Sequence, residues 1–242
     1  MKKVLIIACI SILIVVLGVF GIKYINKDKK VYTADELKFK EDYESLNGEK
    51  NSSGKNYRVL KISKDNHMIY SSVSEVLKKI ENKETFVVYF GFNSCPWCRS
   101  VLNELISASN DLNINKIYYV NVRENGVDIR DTLEYKDGNI VKTKEGVEGY
   151  DKLLEVFNDV LSDYSLSDSD GNKIDSKEKR IYAPNVIAIV NGKAAKLTSG
   201  ISDSQNDAYM DLTNEMKKET YDKFTEVLKL INNTSCGLDK EC

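Results

Sequence analysis

This chain is nearly without histidine and proline: one His, two Pro and one Trp stand among its 242 residues. With His67 alone, in the polar stretch SKDNHMI, a His-rich metal centre or a Ser-His-Asp triad lacks its parts. His67 itself reads as a solvated loop residue. A one-signed charge field is missing too. The 35 Lys and Arg are mixed along the chain with 37 Asp and Glu, for a net charge of -2, so no basic face suits a phosphate backbone and nucleic acid is excluded as a partner. The stretch DSDGNKID (Asp168 to Asp175) has the acidic look of a calcium loop but fails on position. An EF-hand loop starting at Asp168 needs Gly at its sixth place and Glu at its twelfth, where Lys173 and Lys179 stand, so an Asp-Gly turn is expected there. No internal repeat is visible, and no metal or cofactor is expected.

Long apolar runs are absent with one exception, Val4 to Ile22, which carries no charge and is long enough to cross a bilayer core of about 30 Å as a helix. A cleaved signal would have a shorter apolar core and a better cleavage site than Val19-Phe20-Gly21, so residues 1–25 are expected to be an uncleaved membrane anchor. Cys9 lies inside this run and reads as a buried helix residue, since only five apolar residues precede it where a lipoprotein box would need more. Lys2 and Lys3 precede the run while Lys23, Lys27, Lys29 and Lys30 follow it, and the charge rule taken alone would keep the body in the cytoplasm. The other four cysteines argue the opposite. They form two close pairs, Cys95/Cys98 and Cys236/Cys242, the even count expected where disulfides persist, and with the Lys-Lys-apolar start this places the body outside the cytoplasm.

Beyond a linker and short helix (26–55, with the capping box Thr33-x-x-Glu36 and a stop at Asn47-Gly48), the main domain is expected over 56–233 and a Cys-bearing tail over 234–242. Asn56 to Ser63 alternates like an edge strand. Ser72-x-x-Glu75 caps a helix whose Val73, Val76, Leu77 and Ile80 share one face. Thr85 to Phe92 is a continuous apolar run suited to a strand buried on both faces, followed by a helix from the Cys motif and a strand over Lys116 to Val122. That order predicts a parallel crossover and an α/β sheet. Asp137-Gly138 marks a small hairpin insertion, Gly149 to Tyr164 reads as helix, Asn191-Gly192 joins strands 184–190 and 194–199, and Asp207 to Asn232 reads as a closing helix.

The stretch Ser94-Cys95-Pro96-Trp97-Cys98-Arg99 admits three readings: half a metal site, a structural disulfide, or a redox centre. Zinc would need Cys236 and Cys242 as further ligands, at a spacing longer than usual for a zinc knuckle. A structural disulfide closing so small a ring removes little unfolded-state entropy. The redox reading uses every residue. With Cys95 as N-cap and Pro96 as the first helical residue, the Cys95 sulfur faces free N–H groups and the positive end of the helix, which favour thiolate, and Cys98 one turn on can resolve a mixed disulfide. Arg99 adds positive charge nearby or is simply solvated.

These residues resemble the thioredoxin superfamily over about Asn56 to Ile231, with a C-P-aromatic-C motif similar to the glutaredoxin pattern. The anchor and insertions look like extracytoplasmic thioredoxin-like proteins of Gram-positive bacteria, including bacteriocin transport accessory proteins. The resemblance implies a thioredoxin-like α/β fold, a central mixed sheet flanked by helices, with an N-terminal transmembrane anchor and insertions before the cis-proline hairpin. It makes Cys95 the attacking sulfur, Cys98 the resolving one, Pro184 a cis-proline beside them and the Ala183 backbone a contact for extended substrate. Trp97, between two reactive sulfurs, reads as a shaper of substrate access, with a helix-surface aromatic as the alternative. One departure stands out: the buried Asp that thioredoxins carry six residues before the first Cys is Tyr89 here. The expected activity is thiol-disulfide exchange with cysteines of exported proteins, served by a redox partner protein. A non-catalytic peptide-binding accessory protein is the alternative, although such a module has no need of Cys98. Cys236 and Cys242 would form a local disulfide or a relay pair.

Overall fold

The fold is built around Phe86–Gly91, a strand whose six residues are all buried. The structure, a computed structural model, describes residues 31–124 and 126–235. The described residues from Ala34 onward belong to one compact unit. In chain order the described elements are α1 (Ala34–Glu44), β1 (Met68–Tyr70), α2 (Val73–Glu81), β2 (Phe86–Gly91), α3 (Pro96–Asp111), β3 (Ile117–Asn121), β4 (Arg123–Glu124), β5 (Val127–Asp128), β6 (Thr132–Lys136) and β7 (Asn139–Lys144). They continue with α4 (Tyr150–Phe157), β8 (Ser162–Ser167), β9 (Lys173–Arg180), β10 (Asn185–Val190), β11 (Lys193–Thr198) and α5 (Asn214–Ser235).

Five strands form one mixed sheet in the order β1-β3-β2-β10-β11. β1, β3 and β2 run parallel, while β10 pairs antiparallel with β2 and with β11. Both faces are covered. On one, α1, α3 and α5 pack on Val87, Tyr89, Tyr119, Val186 and Ala188; on the other, α2 and α4 pack on Val88, Phe90, Val120, Ile187 and Ile189. Such two-sided burial explains why β2 and β10 are unbroken apolar runs rather than alternating ones. Three separate two-stranded hairpins, β4-β5, β6-β7 and β8-β9, lie between β3 and β10 in sequence. The turn of β6-β7 is Asp137-Gly138 and that of β10-β11 is Asn191-Gly192, with positive φ at all four residues as a primed two-residue turn requires.

Several expectations need correction. Residues 56–63 are not a strand; apart from one isolated bridge between Lys50 and Asn56 they run unpaired to the sheet, although Leu60 and Ile62 are buried as the alternation implied. Their backbone is satisfied by side chains instead. Asn47 accepts from the Leu60 N–H and donates to its carbonyl, Glu44 accepts from the Ile62 N–H, and Lys40 donates to the Ile62 carbonyl. The helix α1, which supplies Lys40 and Glu44 and leads into the turn that carries Asn47, buries Phe39 and Tyr43 in the core and is part of the body rather than of a linker.

The edge strand is Met68–Tyr70, so His67 is no solvated loop residue. Its Nε2 lies 2.7 Å from Asn110 Oδ1, and its Nδ1 lies 3.5 and 3.7 Å from carboxylate oxygens of Asp65 and Glu36. The helix expected to reach Tyr164 stops at Phe157, because Tyr164 enters β8 and its hydroxyl takes the Leu133 N–H. Residues 162–180 are too polar to announce a hairpin, since both its faces are largely exposed. The closing helix starts at Asn214, not Asp207: Asp207 turns the chain by accepting from the Tyr209 N–H, and Arg58 donates to the Met210 carbonyl. The anchor Val4–Ile22 lies outside the described residues; among those described, no helix is long and apolar enough to cross a membrane.

Candidate active site

Topology brings Cys95 and Pro184 together. β2 and β3 end side by side at Gly91 and Asn121, and the register Asn185 opposite Phe90 starts β10 at the same end of the sheet. The loop after β2 carries Cys95, and the loop before β10 carries Ala183-Pro184, whose peptide bond is cis. Of the residues singled out from sequence, Cys95, Trp97, Cys98, Ala183 and Pro184 sit in these two loops and the first turn of α3. Cys236 and Cys242 lie outside the described residues.

Cys95 is the N-cap of α3 with Pro96 at the first helical position, as the motif predicts. Its Sγ accepts the Cys98 N–H at 3.1 Å, and its thiol donates to the Ala183 carbonyl at 3.4 Å. Both cysteines are free thiols and both are buried, Cys95 at 3% exposure and Cys98 at 0%. Hydrogen bonding rather than exposure separates them. Burial alone would raise the Cys95 thiol, but donation from Cys98 and from the backbone N–H groups of Cys98 and Trp97, with the positive charge of Arg130, outweighs it and holds the pKa below the ordinary value. The Cys98 thiol goes the other way. Burial first, and the neighbouring Cys95 sulfur second, push it well above the ordinary value. The surroundings thus favour thiolate at Cys95 and thiol at Cys98. Trp97 is half-buried, and its carbonyl is held by the Ser100 hydroxyl at 2.8 Å.

Behind Cys98 lies a cluster of buried phenols. The Tyr43 hydroxyl is 3.2 Å from that of Tyr89 and 3.5 Å from that of Tyr119, and all three side chains are at most 1% exposed. The neighbouring Tyr89 hydroxyl favours the Cys98 thiolate, against the larger effect of burial. Gly91 makes room for this arrangement, since a Cβ there would come within 2.4 Å of the Tyr89 hydroxyl oxygen.

Arg99 is neither solvated nor aimed at Cys95. It is 1% exposed and donates to the carbonyls of Arg58, Tyr43 and Asn93 and to Asn47 Oδ1, fastening α3 to α1 and to the 56–63 segment. A sequence signal for this existed: Arg99, Leu102 and Ile106 fall at i, i+3 and i+7 on the buried stripe of α3. Arg130 and Asp128, which adjoin the cis-proline loop, gave no such signal, because they lie in the polar insertion. Another set of ligand-type groups, Glu36, Asp65 and His67, has donor atoms within 4.8 Å of one another. It stands at the start of β1, whereas the cysteines stand at the finish of the parallel strands.

No protein-family model matches the chain, and no curated protein matches it either.

Proposed function

We propose that this chain is a thiol-disulfide oxidoreductase of thioredoxin-like fold, acting on cysteines of exported proteins through Cys95 and Cys98. The carrying observation is the contrast between the sulfurs: Cys95 sits at a helix N-terminus with its pKa lowered, and buried Cys98 is held protonated one turn away. The sheet order β1-β3-β2-β10-β11, with the Cys loop after β2 and a cis-proline before β10, supports the fold assignment.

In the reducing direction, the Cys95 thiolate attacks one sulfur of a substrate disulfide. The substrate S–S bond breaks, a mixed disulfide forms at Cys95, and the second substrate sulfur leaves as thiolate and takes a proton. Cys98 then loses its proton as it attacks Cys95 Sγ; the Cys95–Cys98 bond forms and the remaining substrate sulfur departs with that proton. Two electrons pass from the protein dithiol to the substrate, and a partner dithiol restores them. Run in reverse with a partner disulfide, the same steps oxidise a substrate dithiol. The Ala183 carbonyl, bonded to Cys95 in the free protein, is the acceptor an extended substrate backbone would take over. Anchoring through Val4–Ile22 with the body outside the cytoplasm is part of the proposal, supported by the apolar run and the paired cysteines.

The test is Cys98→Ser in cells. Removing the resolving step should accumulate mixed disulfides that vanish when Cys95→Ser is added. If nothing is trapped and the purified protein does not turn over a model disulfide, the activity falls and the peptide-binding accessory role takes its place.

A further inference from the structure

We infer that Arg130, brought in by the chain between β3 and β10, is a positioning residue of the redox centre: its buried guanidinium holds the Ile181–Pro184 loop in place and supplies positive charge to Cys95. The inference rests on the thiol-disulfide reading and assigns part of that site to the insertion.

The contacts run continuously. Arg130 is 7% exposed, and its Nη1 donates to the carbonyl of Ile181 at 3.1 Å, two residues before the Ala183 carbonyl that receives the Cys95 thiol. Its Nε and Nη2 grip the two oxygens of Asp128 at 2.8 and 2.6 Å, a bidentate pair that fixes the plane of the guanidinium. Lys144 donates to the Arg130 carbonyl at 2.8 Å, tying β7 to the same corner. From the other side, Tyr182 N–H donates to Asn185 Oδ1 at 2.7 Å and closes the loop. Arg130 is thus fastened by the insertion and fastens the cis-proline loop in turn.

The charge environment agrees. The groups electrostatically coupled to Cys95 include the Cys98 thiol, the hydroxyls of Tyr89 and Tyr119, which burial keeps protonated, and Arg130. The coupling between Arg130 and Cys95 favours the charged form of each. Burial works against the Arg130 charge, and Asp128 outweighs it. The role expected of Arg99 from its place in the motif therefore falls to a residue of the insertion. Asp128 both holds Arg130 and partly offsets its field.

The experiment reads the pH dependence of Cys95 alkylation by iodoacetamide, in full-length protein kept reduced and carrying Cys98→Ser so that one site-thiol is followed. Arg130→Met should raise the Cys95 pKa, slow alkylation at pH 7 by about threefold or more, and, with Cys98 restored, shift the thiol-disulfide equilibrium toward the disulfide. Arg130→Lys keeps the charge and should stay near the parent pKa. Asp128→Asn removes the offsetting anion and should lower it. A purely structural role predicts otherwise: Arg130→Lys would match Arg130→Met, and Asp128→Asn would move the pKa in the same direction as both. Either result overturns the inference. Should Arg130→Met fail to fold, Asp128→Asn decides by the sign of its shift. The readout needs no substrate, so opposite shifts in a protein that traps no partner would uphold the charge effect while the redox reading fell.

Discussion

In the proposed exchange reaction Tyr89 takes the place where the thioredoxin pattern has a buried carboxylate behind the second sulfur, and the two groups differ in what they can do with a proton. A carboxylate can accept the Cys98 proton. The Tyr89 phenol, whose pKa is raised well above its ordinary value by burial and then by Cys98, can only donate to the sulfur as charge develops there. If Cys98 resolves a mixed disulfide as proposed, its proton must then leave with the departing substrate thiolate. Tyr89→Phe should therefore keep the fold and the first, Cys95-dependent step, but slow resolution by roughly fivefold, the equivalent of one ordinary hydrogen bond of about 1 kcal/mol. Without that donor the Cys98 pKa rises further, so the pH at which resolution reaches half its maximum should move up. Stopped-flow decay of a Cys95 mixed disulfide with a small thiol measures both; unchanged rate and pH midpoint would remove Tyr89 from the mechanism.

At the scale of elements, the segment before β1 shows how a correct pattern can yield a wrong structure. Leu60 and Ile62 point inward and Val59 is 70% exposed, the alternation of a half-buried strand. A strand also needs a neighbouring backbone, and here side chains of α1, of the turn after it and of α3 fill that need first. Asn47 is the hub, serving both backbone groups of Leu60 and the Arg99 guanidinium at 2.9 Å. Asn47→Ala should cost about 2 kcal/mol by leaving these groups short of partners, and the loss should be local. Amide exchange at Leu60 and Ile62 should accelerate well before that of Val88 in β2, as read by hydrogen exchange and urea unfolding. Equal acceleration throughout would mean that the segment belongs to the global folding unit. By contrast α2 was legible to the residue: Ser72 and Glu75 form the reciprocal capping box, and Val73, Val76, Leu77 and Ile80 are its buried face.

For the whole molecule, the cysteines outside the candidate site, Cys236 and Cys242, report on where the body resides. If the anchor holds the body outside the cytoplasm, Cys236 and Cys242 should be joined, since five intervening residues can curl to the roughly 4.4 to 6.8 Å between Cα atoms that a disulfide needs. Mass spectrometry of membrane fractions alkylated at the moment of lysis should find that pair oxidised and the protein pelleting with the bilayer. Free thiols at both positions would place the body in the cytoplasm, and recovery in the soluble fraction would remove the anchor.

What the sequence alone determined is local or periodic. A proline after Cys95 fixes a helix start, unbroken apolar runs fix β2 and β10, and Asp137-Gly138 and Asn191-Gly192 fix their turns, because each depends on sterics and hydrogen bonds among near neighbours. What only the tertiary structure decided is which distant groups meet. Arg99 stands on the apolar stripe of α3 and Arg130 in a polar insertion, and neither setting names its partners: one donates to carbonyls of α1 and of the segment after it, while the other reaches the cis-proline loop. A buried guanidinium must find acceptors wherever the packed chain offers them, and the carbonyls of Tyr43, Arg58 and Ile181 lie tens of residues from the arginines that reach them, where no spacing rule extends.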